Sequence, residues 1–555
     1  MMKSTIYRKY IIIGLTLLPV VFSACKKNKV IPEAKAVTVP QPGTGTNTKQ
    51  TPTTDRRELT NDSLFLYAQQ IYYWNETLPT YDVFDPRTYK GLSTDLANFN
   101  NELFNITKYS TFETVPGSSS PKYAFIRDEN NSNGNQSSIA STQASVDLQD
   151  IGFDMGILNF QGYGDNNNYQ LYVKGVYTNS PADLAKITRG TRITNIGGQS
   201  IGTNFNAEVG VINGVLNGSL TSTTVSGVRT DGTVFTNVPL KVTKYTSSPV
   251  FTSKVIDQGG KKIGYLAYAR FSVLTVPNDN NPSDSRIDPV FAIFAASNVS
   301  DLVIDLRYNG GGSVQAAEYL LNLIAPANTT GVMFKETYNN TMKSGNATIL
   351  ANQPLKGADG KFVYNSAGKL LTLANVDWSD AGNVFNFSKK GPLNGVKNIF
   401  FLVSENTASA SELLINCIKP HVQSVKLVGQ TTYGKPVGFF PITLDKHYSV
   451  YLPSFESKNS RGEGGYYAGI KPDYADVGEN SLFDDSRYDF GDPRESYLNK
   501  ALSVLAPVAP SVLASRSSSV GQGISATPAK LMRTNFSNDN MGAAGMVETR
   551  YRLKN

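Results

Sequence analysis

Apolar positions change their spacing along the chain and divide it into segments of different predicted structure. From residue 62 to residue 103 they recur at helical intervals, which predicts a small helical region with Asn61 or Asp62 as a helix cap. Between residues 148 and 245, short strand-like runs are separated by Gly and Asn turns. After residue 253, strongly apolar strands alternate with helical patterns, so we expect an α/β domain with a buried sheet there.

One strand of this domain is followed directly by three glycines. The run Leu302–Leu306 is apolar enough for a strand buried on both faces, and Gly310, Gly311 and Gly312 precede a predicted helix. Glycines at such a turn let the backbone approach a ligand closely, and amides at a helix start bind negative charge. The Lys and Ser/Thr of a P-loop are missing, which argues against nucleotide binding. The turn is therefore predicted to be either an oxyanion hole or a structural turn.

A second strand ends in a segment rich in small residues. Residues 400–403 are an apolar run, and from Ser409 onward apolar residues recur at helical spacing until Pro420. A serine hydroxyl at a helix N-terminus suits a nucleophile, because the free amides there stabilise an oxyanion. Ser409 and Glu412 also satisfy the Ser-x-x-Glu capping box, which requires no catalysis. This segment alone therefore favours a helix cap over a catalytic serine.

A nucleophilic serine needs a base, and the sequence holds two histidines. His421 lies at the far end of the helix predicted after Ser409, about 18 Å along its axis. His447 falls in an alternating strand, where a structural role is expected, and the two lack the spacing of a zinc site. Lysine is the other base that serine hydrolases use, and Lys435 lies on a predicted turn. Burial would lower the pKa of its amine, although the sequence is equally consistent with a surface lysine.

Three segments together resemble the carboxyl-terminal processing, or tail-specific, proteases, a Ser/Lys peptidase family. They are Leu302–Gly312, Thr407–Glu412 and Tyr433–Lys435, which occur in this order. The resemblance covers roughly residues 60–505 and includes the sequence Gly-Ile-Lys-Pro-Asp that ends at Asp473. It implies a crotonase-like α/β protease core that needs no cofactor and no metal.

The resemblance also implies a role for each matching residue. Ser409 corresponds to the nucleophile and Lys435 to its general base. The N–H of Ala410 and one glycine amide, from Gly310 or Gly311, would form the oxyanion hole. The expected reaction is acyl transfer from a peptide to the serine, followed by hydrolysis.

One position departs from the family pattern. Well-known members have a Gln four residues after the lysine, where it helps to orient the amine, and this chain has Phe439. Loss of an orienting group can reduce activity without changing the fold. Two alternatives therefore stay open: a catalytically impaired homologue that acts as a peptide-binding lipoprotein, and a different enzyme on the same scaffold.

The strand-rich segment contains a second resemblance. Ser180-Pro-Ala, a short helix, a turn at Gly190 and an Ile-rich strand are similar to a PDZ domain. A PDZ domain binds a peptide by strand addition and holds its terminal carboxylate with backbone amides. The resemblance implies that Ile151, Gly152 and Phe153 lie near the carboxylate-binding loop. The expected partners are peptides or proteins with free C-termini, and the alternative is a β-rich structural domain.

Charge and the N-terminal sequence bear on location. The net charge is +7, but residues 1–57 hold ten Lys or Arg against two acidic residues, so the remainder is nearly neutral. This disfavours nucleic-acid binding, which needs a basic surface on the folded domain. Basic residues precede the apolar run 10–21, and Phe22-Ser-Ala-Cys25 resembles a bacterial lipoprotein signal. Cys25 would carry a lipid that anchors the protein in the cell envelope, with the periplasm favoured and the cell surface as the alternative location. An ordinary signal peptide is the alternative to the lipoprotein signal.

These patterns predict an α/β multidomain chain in which a small helical N-terminal domain and an inserted PDZ-like β domain accompany the crotonase-like core. The predicted function is a membrane-tethered serine endopeptidase that cleaves polypeptides recognised through their C-termini. The predicted segments are a lipoprotein signal peptide (1–25), a flexible tether (26–57), an N-terminal helical domain and loop (58–147), a PDZ-like domain (148–247), the protease core (248–505) and a disordered tail (506–555).

Overall fold

The structure is a computed structural model that describes part of the chain. The described residues are 48–131, 150–278, 280–357, 360–477, 482–507, 531–532, 546–548 and 550–554. The predicted signal peptide, the lipidation site Cys25 and most of the predicted tether lie outside these residues. Within them, no helix is both long and apolar enough to span a bilayer.

Helices and strands alternate through most of the described chain. The helices are α1 (Arg56–Ile71), α2 (Tyr81–Phe84), α3 (Asp95–Thr107), α4 (Pro181–Leu184), α5 (Phe205–Asn217), α6 (Asp288–Ala296), α7 (Val314–Ile324), α8 (Asn340–Lys343), α9 (Ala410–Ile418) and α10 (Ser496–Leu505). The strands are β1 (Phe125–Asp128), β2 (Ile151–Asp154), β3 (Ile157–Asp165), β4 (Asn168–Val176), β5 (Arg192–Ile196), β6 (Gln199–Ser200), β7 (Ser222–Val228), β8 (Val234–Lys241), β9 (Thr243–Thr246), β10 (Val250–Gln258), β11 (Lys261–Tyr268), β12 (Asp301–Asp305), β13 (Val332–Tyr338), β14 (Val384–Asn386), β15 (Asn398–Val403), β16 (Ser424–Gly429), β17 (Val437–Phe439), β18 (Ile442–Leu444), β19 (Tyr448–Tyr451), β20 (Phe455–Asn459), β21 (Tyr474–Ala475) and β22 (Met546–Val547).

A six-stranded sheet forms the centre of the C-terminal half. Its order is β10-β11-β12-β15-β16-β21, and all neighbouring pairs except β10 with β11 are parallel. Ile304 and Phe401 enter one hydrophobic core together with α7 and α9, whereas Val303 and Phe400 enter another with α10. Burial on both faces explains why these strands are continuous apolar runs, as the sequence predicted. The carboxyl ends of β12, β15 and β16 consequently lie side by side at one edge.

A second sheet includes a short strand from the C-terminal segment, β22. Its order is β14-β13-β20-β17-β22, and β22 runs parallel to β17. The N–H of Val547 donates to the Gly312 carbonyl at 3.2 Å, and the N–H of Glu548 donates to the Phe439 carbonyl at 3.1 Å. The C-terminal segment therefore connects the glycine turn to the strand that follows Lys435.

The disorder predicted for residues 506–555 is wrong for the described part of that segment. Met546 and Glu548 are buried, and Arg550 bonds to Glu318 at 2.7 Å and to Glu548 at 3.0 Å. A strand of two residues in a polar, small-residue context has no periodicity, so composition alone predicts disorder. Its order comes from partners that lie far away in the sequence.

The N-terminal helical region also corrects a prediction. Helix α1 begins at Arg56, inside the predicted tether, and Asp55 caps it by accepting from the amides of Arg57 and Glu58. Asn61 and Asp62, the predicted caps, instead lie buried in the helix interior. Asp62 pairs there with Arg87 at 2.6 Å. A buried polar side chain with such a partner is tolerated within a helix, which the sequence pattern could not show.

Residues 150–247 form a strand-rich unit with its own hydrophobic core. Strands β3, β4, β5, β7 and β8 make one antiparallel sheet, with β6 paired to β5. Ser180 caps the short helix α4 by accepting from the amide of Asp183, and Pro181 is its first residue, as the sequence predicted. A separate two-stranded sheet pairs β2 with β9 at the boundary of the unit.

Candidate active site

Three loops meet at the carboxyl edge of the central sheet. The glycine turn follows β12, the segment that ends at Ser409 follows β15, and the loop that carries Lys435 follows β16. The N–H of Ala408 donates to the Asn309 carbonyl at 3.2 Å, and the N–H of Tyr433 donates to the Thr407 carbonyl at 3.0 Å. Neighbouring parallel strands place their following loops together, so three segments remote in sequence become adjacent.

Ser409 directly precedes helix α9 and is fully buried. Its backbone has φ +61° and ψ −112°, outside the helical region and unusual for a residue with a side chain. Such strain is commonly retained at functional sites because the surrounding structure imposes it. Within the described residues, the Oγ atom has no hydrogen-bond partner. The site thus presents a buried hydroxyl whose lone pairs and proton are available.

The glycine turn packs directly against Ser409. A Cβ atom on Gly311 would lie 2.9 Å from the Cβ of Ser409 and 3.1 Å from the amide nitrogen of Ala410, so a side chain does not fit. Gly311 has φ +108°, which glycine adopts readily. Its own N–H donates to Oδ1 of Asn309 at 3.0 Å. Of the two candidate glycines, Gly311 is thus the one shown in direct contact with the start of helix α9, and its own amide is engaged by Asn309.

Lys435 is fully buried beside Ser409. The amides of both residues donate to the same atom, Oε2 of Glu412, each at 2.8 Å. The Lys435 Nζ lies 4.5 Å from the ring centroid of Phe439 and 5.9 Å from that of Tyr123. The backbones of the predicted base and the predicted nucleophile thus bind the same carboxylate oxygen, and two aromatic rings lie near the lysine amine.

Burial changes the chemistry of this amine. Loss of hydration lowers the pKa of Lys435 to about 7, although the carboxylates of Glu113 and Glu412 oppose the change. The ammonium of Lys122 acts in the same direction as burial. A large fraction of the amine is therefore neutral near pH 7, which is the form that can accept a proton from a serine hydroxyl.

Glu412 joins the loop of the serine to the loop of the lysine. Its Oε2 atom accepts from Ser409 and Lys435, while Oε1 accepts from the Gly434 amide at 2.8 Å and from the Thr432 hydroxyl. Burial raises the pKa of Glu412, and these four hydrogen bonds oppose the change. The sequence predicted only a helix-capping role, because Gly434 and Lys435 follow Glu412 across an intervening strand. The capping function is real, and the same carboxylate also fixes the position of the lysine loop.

The remaining predicted residues lie outside this cluster. Ile151, Gly152 and Phe153 belong to β2, where they pair with β9, and the side chains of Ile151 and Phe153 are 42% and 51% exposed. His421 contacts Ser460 at 3.1 Å. In the described part of the chain, no group of three or more His, Cys, Asp or Glu side chains could hold a metal ion.

Comparison with known proteins defines the class of this site. Residues 262–476 match the model of peptidase family S41, and this segment contains all three motif segments. The match confirms the family predicted from the motifs around Gly310, Ser409 and Lys435.

Two relatives extend this result. A protein of Staphylococcus aureus (strain N315), described as a "Probable CtpA-like serine protease", is 23% identical over 320 residues, which are 57% of this chain and 52% of the relative. The chain therefore spans about half the length of the curated relatives that it matches. A crystal structure described as that of a "Putative S41 protease from Bacteroides fragilis NCTC 9343" is 20% identical and has a TM-score of 0.51. The structural alignment covers 82% of this chain and 99% of the Bacteroides fragilis chain. The chain thus has a mixed α/β multidomain fold similar to that of an S41 protease.

Proposed function

We propose that this protein is a serine peptidase that uses Ser409 as nucleophile and Lys435 as general base. The observation that carries the proposal is that both residues are buried and that their backbone N–H groups donate to the same oxygen of Glu412. The serine hydroxyl makes no hydrogen bond within the described residues. A buried lysine with a pKa of about 7 and a serine at a strained backbone position form the pair that such chemistry requires.

The proposed reaction uses the hydroxyl of Ser409 and the amine of Lys435. The Ser409 Oγ attacks a peptide carbonyl carbon while the neutral Lys435 Nζ takes its proton. The carbonyl oxygen becomes an oxyanion next to the amide of Ala410 and a glycine amide from Gly310 or Gly311. The tetrahedral intermediate expels the amine, which receives the proton from Lys435. Water then attacks the acyl ester, with Lys435 acting as base again, and releases the second product.

Substrate recognition is a further part of the proposal. The strand-rich unit of residues 150–247 would bind the C-terminus of a polypeptide in the manner of a PDZ domain, with Ile151, Gly152 and Phe153 near the carboxylate. Its support is the sequence similarity around Ser180 and the exposed side chains on β2. Peptides that differ only in their last residue, or in amidation of their C-terminus, test this: equal rates of cleavage would contradict it.

A lipid anchor at Cys25 is proposed from the sequence of the N-terminus alone. A lipidated cysteine followed by a polar segment would hold the peptidase in the cell envelope, with the periplasm as the proposed compartment. Expression of the full chain with an alkyne-labelled fatty acid tests the anchor. Label that persists in Cys25→Ser would contradict it.

The catalytic assignment is tested by paired substitutions in the purified protein. Ser409→Ala and Lys435→Ala should each abolish cleavage of a peptide library, with thermal transitions close to that of the wild type. Ser503→Ala and Lys446→Ala, which replace exposed residues of the same types, are the matched controls and should retain full activity. Turnover by Ser409→Ala would refute the proposal. Peptide binding without cleavage by the wild type would instead favour a non-catalytic peptide receptor.

A further inference from the structure

Strand β3 lies at one end of the antiparallel sheet in the strand-rich unit of residues 150–247. Among the described strands it pairs only with β4, so its second edge is open to another extended segment. An open sheet edge binds polypeptide by strand addition, in which main-chain hydrogen bonds give affinity and pockets for alternate side chains give specificity. This edge therefore has the geometry of a peptide site.

A segment from the C-terminal part of the same chain occupies this edge. Leu531 pairs antiparallel with Tyr163. The N–H of Met532 donates to the Gly162 carbonyl at 2.9 Å, and the Nε2 of Gln161 donates to the Met532 carbonyl at 3.2 Å. Leu531 and Met532, the tail segment, are thus bound to β3 in the manner of an added strand.

The two side chains of the tail segment enter different environments, as successive side chains of a strand do. Met532 is 6% exposed and joins the hydrophobic core of the strand-rich unit, to which β3 and α5 contribute. Leu531 instead packs against a separate cluster of Tyr163, Tyr172 and Phe483. The edge of β3 therefore offers a buried apolar position for the second of the two side chains.

Gly162 provides the space that the Met532 side chain uses. A Cβ atom at Gly162 would lie 3.2 Å from the sulfur of Met532 and 3.3 Å from its Cβ, so a larger residue would crowd the bound side chain. Glycine inside a strand weakens the strand and often marks a site where a ligand or another backbone approaches closely. The glycine in β3 fits such an approach by the tail segment.

The direction of the tail segment agrees with the direction proposed for a substrate. Because the pairing is antiparallel, the segment runs from Tyr163 toward the start of β3 at Ile157. Strand β2, which carries Ile151–Phe153, directly precedes β3. A peptide bound in the same direction would bring its C-terminus toward the residues proposed to lie near the carboxylate. The tail segment and such a peptide therefore require the same edge.

We propose that the open edge of β3 is a strand-addition site for an extended polypeptide with an unbranched apolar side chain, and that Leu531 and Met532 occupy it as an internal ligand that competes with substrates. The inference rests on the proposed peptide recognition by the strand-rich unit. A polypeptide that adds more main-chain hydrogen bonds along the nine residues of β3 displaces the tail segment.

The test measures binding rather than cleavage, in the full chain that carries Ser409→Ala. The probe is the synthetic peptide Thr-Pro-Ala-Lys-Leu-Met, which has the sequence of residues 527–532, a free carboxylate and an N-terminal fluorescein. Fluorescence anisotropy gives its Kd. Met532→Asp places a charge at a buried apolar position, so the tail segment should leave the edge. The Kd of the probe should then fall about ten-fold, as expected for an edge that is about nine-tenths occupied by the tail segment.

Further variants in the same background localise the effect. Leu553→Asp, at an apolar residue that is 44% exposed, is the matched control and should leave the Kd unchanged. Gly162→Val, added to Met532→Asp, fills the space for the bound side chain and should weaken the binding of the probe by about ten-fold or more. If Met532→Asp shows no cooperative thermal transition, Met532→Ala decides, with a Kd expected to be about three-fold lower.

A Kd that is the same with and without the substitution of Met532 would overturn the inference and leave peptide recognition by the unit standing. Tighter binding that Gly162→Val does not weaken would also overturn it, because the probe would then bind elsewhere. If the probe binds to none of the variants, both the inference and the proposed peptide recognition fail. The peptidase assignment is decided separately, by the cleavage assay of Ser409→Ala.

Discussion

Two buried cations lie at the same edge of the central sheet and behave in opposite ways. Arg307 follows β12, and Lys435 follows β16; both are almost completely excluded from solvent. Burial lowers the pKa of the Arg307 guanidinium, but Asp305, Glu495 and Asp484 more than reverse this and raise it well above its usual value. Burial lowers the pKa of Lys435 to about 7, and its carboxylates offset the change only in part.

The difference lies in what the neighbouring carboxylates bond to. Asp305 and Glu495 each make paired hydrogen bonds to the Arg307 guanidinium, at 2.9 to 3.0 Å, and Asp484 adds another at 2.7 Å. Near Lys435, the oxygens of Glu412 are engaged by backbone amides and a hydroxyl instead. Carboxylates that bond directly to a buried cation keep it charged. When the carboxylates nearby accept hydrogen bonds from other groups instead, burial can remove the proton from the cation.

The largest effect expected from this comparison is on stability at Arg307. Arg307→Met removes the cation and leaves the buried carboxylates of Asp305 and Glu495 without it, whereas Asp484 keeps its ion pair with Arg189. The free energy of unfolding should therefore fall by about 3–5 kcal/mol. Lys435→Met should leave stability unchanged or increase it, because it removes a poorly solvated amine from aromatic surroundings. Urea denaturation at pH 7 measures both. Equal losses of unfolding free energy in the two variants would show that both cations stabilise the fold to the same extent.

The second expected effect is a pH dependence that belongs to Lys435 alone. The folded pKa is about 7 and the ordinary value is 10.5, so between these values the unfolded chain carries a proton that the folded protein lacks. Stability must therefore rise with pH in this window, by up to about 1.4 kcal/mol per unit. From pH 8 to 9.5 the wild type should gain about 2 kcal/mol relative to Lys435→Met. The difference between the two urea titrations measures it, and parallel curves would contradict the lowered pKa.

The comparison also shows what the sequence could and could not predict. The motif around Arg307 and the glycines is local, so its strand, turn and helix followed from apolar runs and spacing. The positions of Ser409 and Lys435 followed from a resemblance in which order and spacing are preserved. The groups around the Lys435 amine come from elsewhere in the sequence: the Tyr123 ring lies 5.9 Å from Nζ, and the Tyr123 amide binds Glu113.

Two other predictions failed for the same reason, namely that the deciding partners are remote in sequence. Asn61 and Asp62 look like helix caps, yet Asp62 is buried against Arg87, which a local pattern does not reveal. Residues 546–547 have no strand pattern of their own, and their order depends on pairing with β17. Local chemistry therefore predicted the main elements, and the polar partners that become buried on folding were the part that it could not predict.

A smaller effect is expected from the aromatic ring beneath the amine. The Phe439 ring stabilises the charged form of Lys435 by about 1 kcal/mol at this distance. It therefore raises the pKa of Lys435, as the carboxylates around Arg307 raise the pKa of the guanidinium. Phe439→Leu should lower the pKa of Lys435 and move the acid limb of kcat/KM down by about 0.5–1 pH unit. An unchanged limb would mean that the ring only fills space. Phe440→Leu, at the next buried aromatic residue, is the control.

The smallest effect is expected from a third cation, Lys426, on the strand that leads to Lys435. Lys426 bonds to Asp473 at 2.7 Å, closer than many buried pairs, but the side chains are 42% and 34% exposed. Water weakens the attraction between these two charges and can hydrate Asp473 when the lysine is removed. Lys426→Met should therefore change the free energy of unfolding by about 0.5 kcal/mol or less. The change should shrink further in 0.5 M salt, whereas the loss in Arg307→Met should persist because its partners are buried. Denaturation at both ionic strengths measures this. If Lys426→Met cost as much as Arg307→Met, burial would not be the property that separates structural from exposed charges in this protein.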